Sequence, residues 1–328
     1  MKHGKLLSLS LVAALLLALL SGCGAQTVPA PETDATPSTT QSSDVPDAAE
    51  TSAVRTVTDM KDRSITLDAP VQRIVALTAA ECEILCALGC EEMLVGRGAY
   101  CDYPAEILDL PEVESGSGTN IEQIIALNPD IVLMNVMDQT IEQVTQLENA
   151  GIKVFVSDAA SIDGTYTAIE MIGEITEKTV EAAALVDEMK STFSELGSQV
   201  EGKTGKTVYF EVSPLEWGLW AAGAGTFMDE VAQKLGLKNI FDDVDGWGAV
   251  SEEQVLSRNP DYIVTVAMYF GEGPTPVEEI LSRPGWENLT AVKNNAVLNI
   301  SSNELTRPGP RLAQGAQMLF DFVYGGAN

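Results

Sequence analysis

From residue 55 onward, apolar and polar positions fall into a recurrent order. "TVTDMKDRSITL" (56–67) alternates around a polar turn, which predicts a β-hairpin. "RIVAL" (73–77) is a short buried strand, and "AAECEILCALG" (79–89) a helix that stops at Gly89. "MLVGR" (93–97) is the next strand, 120–127 a helix, and "DIVLM" (130–134) a strand. "TIEQVTQLENAG" (140–151) is a helix and "KVFVS" (153–157) a strand. Strands that alternate with helices predict a parallel sheet with helical crossovers.

The alternation then breaks. Residues 161–200 are nearly all helical, in two pieces with a break near 173–177, and "EAAALVDEMKSTFSEL" (181–196) keeps apolar residues at helical spacing for several turns. After Gly205 the order restarts. "TVYFEV" (207–212), "NIF" (239–241), "DYIVTV" (261–266) and "AVLNI" (296–300) are strands. "TFMDEVAQKLG" (226–236), "SEEQVLSRN" (251–259), "PVEEILS" (276–282) and a last segment from Arg311 are helices. The expected fold class is α/β, with lobes at 55–174 and 205–328 joined by one long helix at 175–204.

The two halves also share wording. "NIEQIIALNPDIV" begins at Asn120 and "VSEEQVLSRNPDYIV" at Val250; in each, a Glu sits eight residues before the Asp of an Asn-Pro-Asp triplet. "EILCALGCEEMLVG" is echoed by "EVAQKLGLKNIFDD" in the same order, which points to a duplicated architecture. Ser251-x-x-Gln254 has the form of a capping box and Asn120-x-x-Gln123 is a close variant, so Glu122 and Glu253 both fall at the second helical position. An acid there complements the helix dipole. The same two acids could instead form a two-point dock for basic sockets on a partner. The residues alone leave both readings open.

Composition adds an address. Lys2 and Lys5 precede an apolar run over 6–20, too short to span a bilayer comfortably, which ends in Leu20-Ser21-Gly22-Cys23. That resembles a bacterial lipobox: residues 1–22 would be removed and Cys23 lipidated, giving an extracytoplasmic protein anchored to the cell membrane. Residues 24–54 carry Pro, Ala, Ser and Thr with five acids and no base, and are expected to be a disordered tether with a reach of roughly 30 Å. The whole chain has 19 bases against 48 acids. A charge this negative argues against nucleic acid as a partner. Cleavage would also remove His3, the only histidine. Cys82, Cys86 and Cys90 lie four apart, so a helix would stack them on one face; they match no zinc or iron–sulfur spacing and are expected to be small core residues. Cys101 stands apart and reads as a small neutral residue ahead of the alternative, a contact to a ligand metal.

Taken together, "RIVALTAAECEILCALG", "LVGRGAYCDYP", "NIEQIIALNPDIVL", "WGAVSEEQVLSRNPDYIV" and "RPGPRL" resemble the extracytoplasmic substrate-binding proteins of ABC importers for iron–siderophores, haem and cobalamin. The resemblance covers most of the chain from about Val57. It implies two Rossmann-like lobes with parallel sheets, bridged by a single rigid long helix, with the ligand in the cleft between them. It implies a monomer that works with a permease dimer, where one glutamate per lobe meets permease arginines; those glutamates match Glu122 and Glu253. It implies no covalent cofactor, no metal site of the protein's own, and no enzymatic activity.

The family pocket is built from loops after the strands of both lobes. Here those are 78–82, 100–103, 135–138, 213–222, Trp247, 268–270 and 303–311. From them Tyr100, Asp102, Tyr103, Trp217, Trp220, Trp247, Tyr269 and Arg307 are the expected ligand-binding residues, with Phe270 among the aromatics. Aromatic faces suit a broad, partly apolar ligand. "AYCDYP" and "GWGAVS" are similar to segments of cobalamin binders. A ferric siderophore, often anionic, would call on Arg97, Arg307 or Arg311, of which Arg311 is rather a first-turn residue of the last helix. The expected cargo is a large metal chelate, a corrinoid slightly ahead of a ferric siderophore, with haem as an alternative through a tyrosine ligand such as Tyr100.

Other classes fare worse. A binder of bare zinc or manganese would want several imidazoles. An enzyme would have to rely on carboxylates or lysine, and there is no nucleophile elbow, P-loop or zincin motif. "SGSGTN" (115–120) is glycine-rich but lacks a close preceding strand, so it is a weak phosphate signal. A non-transport surface lipoprotein would leave the loop aromatics unexplained.

Overall fold

The computed structural model describes residues 54–325, except 137–139, 204, 270 and 301–302. Expectations that rest on Cys23, the leader, the tether or Phe270 therefore lie outside the described residues.

The chain enters through the expected hairpin, β1 (Arg55–Thr58) and β2 (Ser64–Leu67), paired antiparallel. Next come β3 (Ile74–Ala76), α1 (Ala79–Ala87), β4 (Leu94–Gly98), β5 (Glu112–Val113), α2 (Ile121–Ala126), β6 (Ile131–Asn135), α3 (Ile141–Asn149) and β7 (Lys153–Ser157). They form one parallel sheet in the order β5-β4-β3-β6-β7. Its strands are apolar on both faces, as a sheet covered by helices on both sides requires. The two-residue β5 was too short to be visible in the hydrophobic pattern.

Two helices follow, α4 (Ile162–Ile175) and α5 (Thr179–Gln199). Glu177 adopts a positive φ of 61° between them. The break falls where the pattern faltered. α5 buries Ala182, Val186, Met189, Phe193 and Leu196, a stripe at three- and four-residue spacing. It packs on α4 at one end of the chain order and on the last helix at the other.

The second half contains β8 (Lys206–Ser213), β9 (Trp220–Ala222), α6 (Phe227–Lys234), β10 (Leu237–Asn239), β11 (Trp247–Ala249), α7 (Glu252–Arg258), β12 (Tyr262–Thr265), α8 (Pro276–Leu281), α9 (Thr290–Lys293), β13 (Val297–Asn299) and α10 (Leu312–Tyr324). β10, β8, β12 and β13 are parallel. β9 and β11 add an antiparallel edge to this sheet, which the alternation of elements did not foretell. The strand expected at 239–241 sits two residues earlier: Leu237–Asn239 pair with β8, and the Asn239 side chain instead turns to the Ala222 carbonyl and Asp229.

Each sheet has an outer apolar cluster of its own. The inner faces share a third that runs from Ile74 and Leu133 through Ile169, Val186 and Phe193 to Phe210 and Leu312. Because close-packed interiors deform little, a joint built from this shared core resists independent motion of the lobes.

The repeated phrase is a structural module. Asn120 and Ser251 cap α2 and α7, each accepting from the backbone N–H of the Gln three residues on. Ser251 completes its box with the Gln254 side chain, whereas the Gln123 side chain accepts from the Glu114 N–H. Asn128 and Asn259 end the helices at φ of 46° and 44°, a left-handed conformation that asparagine tolerates better than most residues. The closing Asp then ties adjacent strands. Asp130 accepts from the N–H groups of Gln72 and Arg73 ahead of β3, and Asp261 from the N–H and hydroxyl of Thr207 in β8.

Candidate functional site

Both parallel sheets change winding direction at one point. In the first, β3 leads through α1 to β4 on one side, while β6 leads through α3 to β7 on the other. Loops diverge there and leave a crevice at the carboxyl ends of β3 and β6. In the second sheet β8 and β12 have the same relation.

A cavity of about 290 Å³ lies where these crevices meet. The first lobe supplies Leu77, Thr78, Ala79 and Ala80 after β3, Tyr100 after β4, Ser115, Gly116 and, at the end of β6, Asn135; the second supplies Met268, Asn303, Thr306, Arg307 and Pro308. Ser115 and Gly116 belong to the glycine-rich stretch dismissed as a weak signal. They reach the wall because the loop turns through a 3-10 segment, Gly116–Gly118, ahead of α2.

The floor is polar and underused. Thr78 is the N-cap of α1, yet its side chain makes no capping bond. Its Oγ1 is buried without a hydrogen-bond partner among the described residues. A buried hydroxyl left unpaired is costly, so a hydrogen-bonding group entering the cavity would be favoured there. The uncapped first turn of α1 also holds backbone N–H groups with no intrahelical acceptor.

Charges close the cavity at one side. Arg307 bonds Glu83 at 2.8 Å and Asp102 at 2.8 Å, and its other nitrogen donates to the Tyr100 carbonyl at 2.9 Å. Arg311, next to the start of α10, bonds both oxygens of Glu83 at 2.9 and 2.7 Å and Glu304 at 3.0 Å. Its guanidinium lies 4.0 Å from the centre of the Tyr103 ring. Asn303 donates to Asp102 at 3.4 Å. The cluster joins the lobes and holds three acids to two bases. Burial opposes the charge on Arg311, but the Glu83 bonds outweigh it and raise the pKa. Glu83 was not singled out from the sequence, because an acid in a short, mostly apolar helix carries no signal by itself.

Of the eight residues expected to contact ligand, Tyr100 and Arg307 line the cavity. Asp102 is beside it, held by Arg307. Tyr103 is under Arg311, and Tyr269 follows the lining residue Met268, with its hydroxyl donating to the Gly273 carbonyl. Trp217 and Trp220 are exposed by 72% and 43%. Trp220 sits on β9 opposite Ser213, at the carboxyl end of β8. Trp247 is on β11, its ring edge-on to Phe227 and packed against the shared core. Arg97 is not available to a ligand: it is buried, and its guanidinium is taken by the Gly98 and Leu108 carbonyls and Glu112.

Glu122 and Glu253 are both exposed at the second position of α2 and α7. Each helix feeds a parallel strand and therefore runs against it, which places its first turn at the carboxyl edge of the sheet, the edge on which the cavity opens. Bonds to its own backbone N–H and to Ser251 lower the pKa of Glu253.

A family model described as periplasmic binding protein matches residues 74–304, a span that contains both switch points. The chain belongs to the periplasmic binding protein family. Over 322 residues it is 34% identical to the ABC transporter substrate-binding lipoprotein YvrC of Bacillus subtilis, covering 95% of this chain and 96% of the relative. Over 250 residues it is 30% identical to the vitamin B12-binding protein of Salmonella choleraesuis, covering 75% of this chain and 88% of the relative. A solved structure of a possible iron-binding, periplasmic solute-binding protein from Staphylococcus epidermidis superposes with a TM-score of 0.67 at 32% identity, covering 78% of this chain and 99% of that one. The family is one of solute-binding proteins. Among the described residues no helix is long and apolar enough to cross a membrane.

Proposed function

We propose that the protein is a lipid-anchored, extracytoplasmic receptor that captures a large metal chelate and hands it to an ABC importer permease. A corrinoid is the favoured cargo. The observation that carries this choice is the engagement of Arg307 and Arg311. Both cations are committed to Glu83, Asp102 and Glu304, and the cluster is net negative. An anionic ferric siderophore would find no uncommitted cation among the lining residues. A neutral, amide-rich ligand suits the Thr78 hydroxyl, the α1 backbone N–H groups, Asn135 and Asn303.

The cavity lies at the small end of ligand pockets, which span about 300–1,000 Å³. A corrinoid would seat one edge in it and spread over the rim, where Tyr100 is 70% exposed. Glu122 and Glu253 serve as docking posts for the permease dimer, one per lobe, and lipid on Cys23 holds the receptor at the membrane. The resemblance of the first and second lobes to cobalamin-binding segments, and the 30% identity to a vitamin B12-binding protein, support the same reading.

The test is a titration of the purified protein with cobalamin, a ferric hydroxamate and haem, following tryptophan emission. One-to-one quenching by cobalamin at micromolar or lower concentration is expected. Quenching by the hydroxamate alone would move the cargo to siderophores, and silence toward all three would overturn the receptor reading.

A further inference from the structure

Cys82 and Cys101 are 19 residues apart in sequence and belong to different elements. The fold brings them together. Both thiols point at one atom, the carbonyl oxygen of Ala76 in β3, at 3.7 and 3.8 Å. Both side chains are fully buried, and both are free thiols. A hydrogen bond with Cys101, followed by burial, pushes the Cys82 thiol well above its ordinary range. The remaining cysteines are placed differently. Cys86 is half-buried one turn along α1. Cys90 lies beyond the helix end at Gly89, and its thiol turns back to the Leu88 carbonyl. The expected stack of three cysteines on one helical face is thus a stack of two.

We infer that Cys82 and Cys101 are a disulfide-forming pair, closed by thiol–disulfide exchange as the chain folds in an oxidising compartment. Two sulfurs gathered at one carbonyl oxygen are close enough for small side-chain and loop adjustments to bring them to disulfide geometry. Disulfides persist outside the cytoplasm, where the proposed receptor would work. The oxidant is a disulfide, R–S–S–R, from a thiol oxidase or a small molecule. One cysteine thiolate attacks it and expels a first thiolate RS⁻, leaving a mixed disulfide. The second cysteine thiolate then forms the Cys82–Cys101 bond and expels the other RS⁻. The two cysteines lose two protons and two electrons in all, and R–S–S–R leaves as two RSH. Burial restricts this exchange to the folding chain or to an opened loop, since buried thiols are unreactive.

The bond would act on the ligand site. Cys101 lies between Tyr100 and Asp102, both of which bind Arg307, and Cys82 precedes Glu83, which binds Arg307 and Arg311. Closing it ties together the two segments through which the first lobe grips the second.

The experiment refolds the purified full chain from denaturant in a glutathione redox buffer, blocks free thiols with iodoacetamide and digests with trypsin. Cleavage after Arg73, Arg97 and Lys153 separates Cys82, Cys86 and Cys90 (74–97) from Cys101 (98–153). The expected product is these two peptides joined, lighter by two hydrogens than their sum, with fragment ions placing the bond at Cys82. The joined pair should persist in Cys86→Ser and Cys90→Ser, vanish in Cys82→Ser and Cys101→Ser, and separate with dithiothreitol. Mapping of the unsubstituted chain decides even where a variant does not fold. Separately alkylated peptides from fully oxidising buffer, or a bond at Cys86 or Cys90, would overturn the inference. Neither result bears on what the cavity binds.

Discussion

Arg307 of the second lobe reaches Glu83 of the first at 2.8 Å, beside the cavity, and Arg311 holds the same carboxylate from the other side. Glu83 is 3% exposed, so its charge is tolerable only because two guanidinium groups face it. Glu83→Gln should therefore cost about 3–5 kcal/mol of folding stability, the usual penalty for removing one partner of a buried ionic cluster. Chemical denaturation followed by circular dichroism measures this. A loss below 1 kcal/mol, estimated on the same scale, would mean that the clasp contributes little to holding the lobes.

Thr78→Val separates fold from function. Among the described residues the hydroxyl has no partner to lose, so the ligand-free protein should be as stable as before or up to about 1 kcal/mol more stable. Ligand affinity should fall by roughly 2- to 13-fold, the equivalent of one neutral hydrogen bond. Calorimetric titration with cobalamin beside a melting curve reads both. Unchanged affinity would remove Thr78 from the site.

Glu122→Lys and Glu253→Lys should each change stability by no more than about 1 kcal/mol, since both acids are exposed and the changes alter a helix-dipole interaction and, at Glu253, local bonds to its own backbone and Ser251. Uptake in cells should be lost in the double variant while affinity in solution stays the same. A fall in affinity would assign these acids to the ligand site instead.

Asp130→Ala and Asp261→Ala should be destabilising to a similar degree, by about 1.5–3 kcal/mol each, because both carboxylates accept from groups that anchor a neighbouring strand. If one proves neutral, the two halves do not use the repeated phrase alike.

Arg283→Met probes the second lobe alone. Its guanidinium forms a two-bond pair with Glu211 at 2.7 and 2.9 Å, both side chains almost wholly buried, and it lies 4.4 Å from the Trp286 ring centre. Stranding Glu211 should cost about 3–5 kcal/mol. Because desolvation raises the Glu211 pKa, protonation of the stranded acid should recover part of that loss as pH falls. Denaturation midpoints across a pH series test the sign: a variant that loses further stability on acidification contradicts it.

Much of this protein is written locally. Alternation and helical spacing located most of the parallel strands of both lobes, the break before α5, and the caps at Asn120 and Ser251, because these follow from neighbours within a few residues. The edge strands β9 and β11 escaped, since three residues leave no period to detect and the two strands pair across a long stretch of sequence. Most of the loops that build the cavity were legible as the carboxyl ends of strands; among the described aromatics named from them, Tyr100 lines the wall, while Trp247 packs on Phe227.

Three relations belong to the tertiary structure only. Glu83 meets Arg307 across 224 residues, Cys82 and Cys101 converge on the Ala76 carbonyl, and the Thr78 hydroxyl is left without a partner among the described residues. Each depends on which strand ends lie side by side, and that is set by sheet order and crossover direction. The chain's own periodicity determined that two α/β lobes would form; long-range packing decided which side chains face each other between them, because contact energy there is shared between residues that carry no mark of one another in sequence.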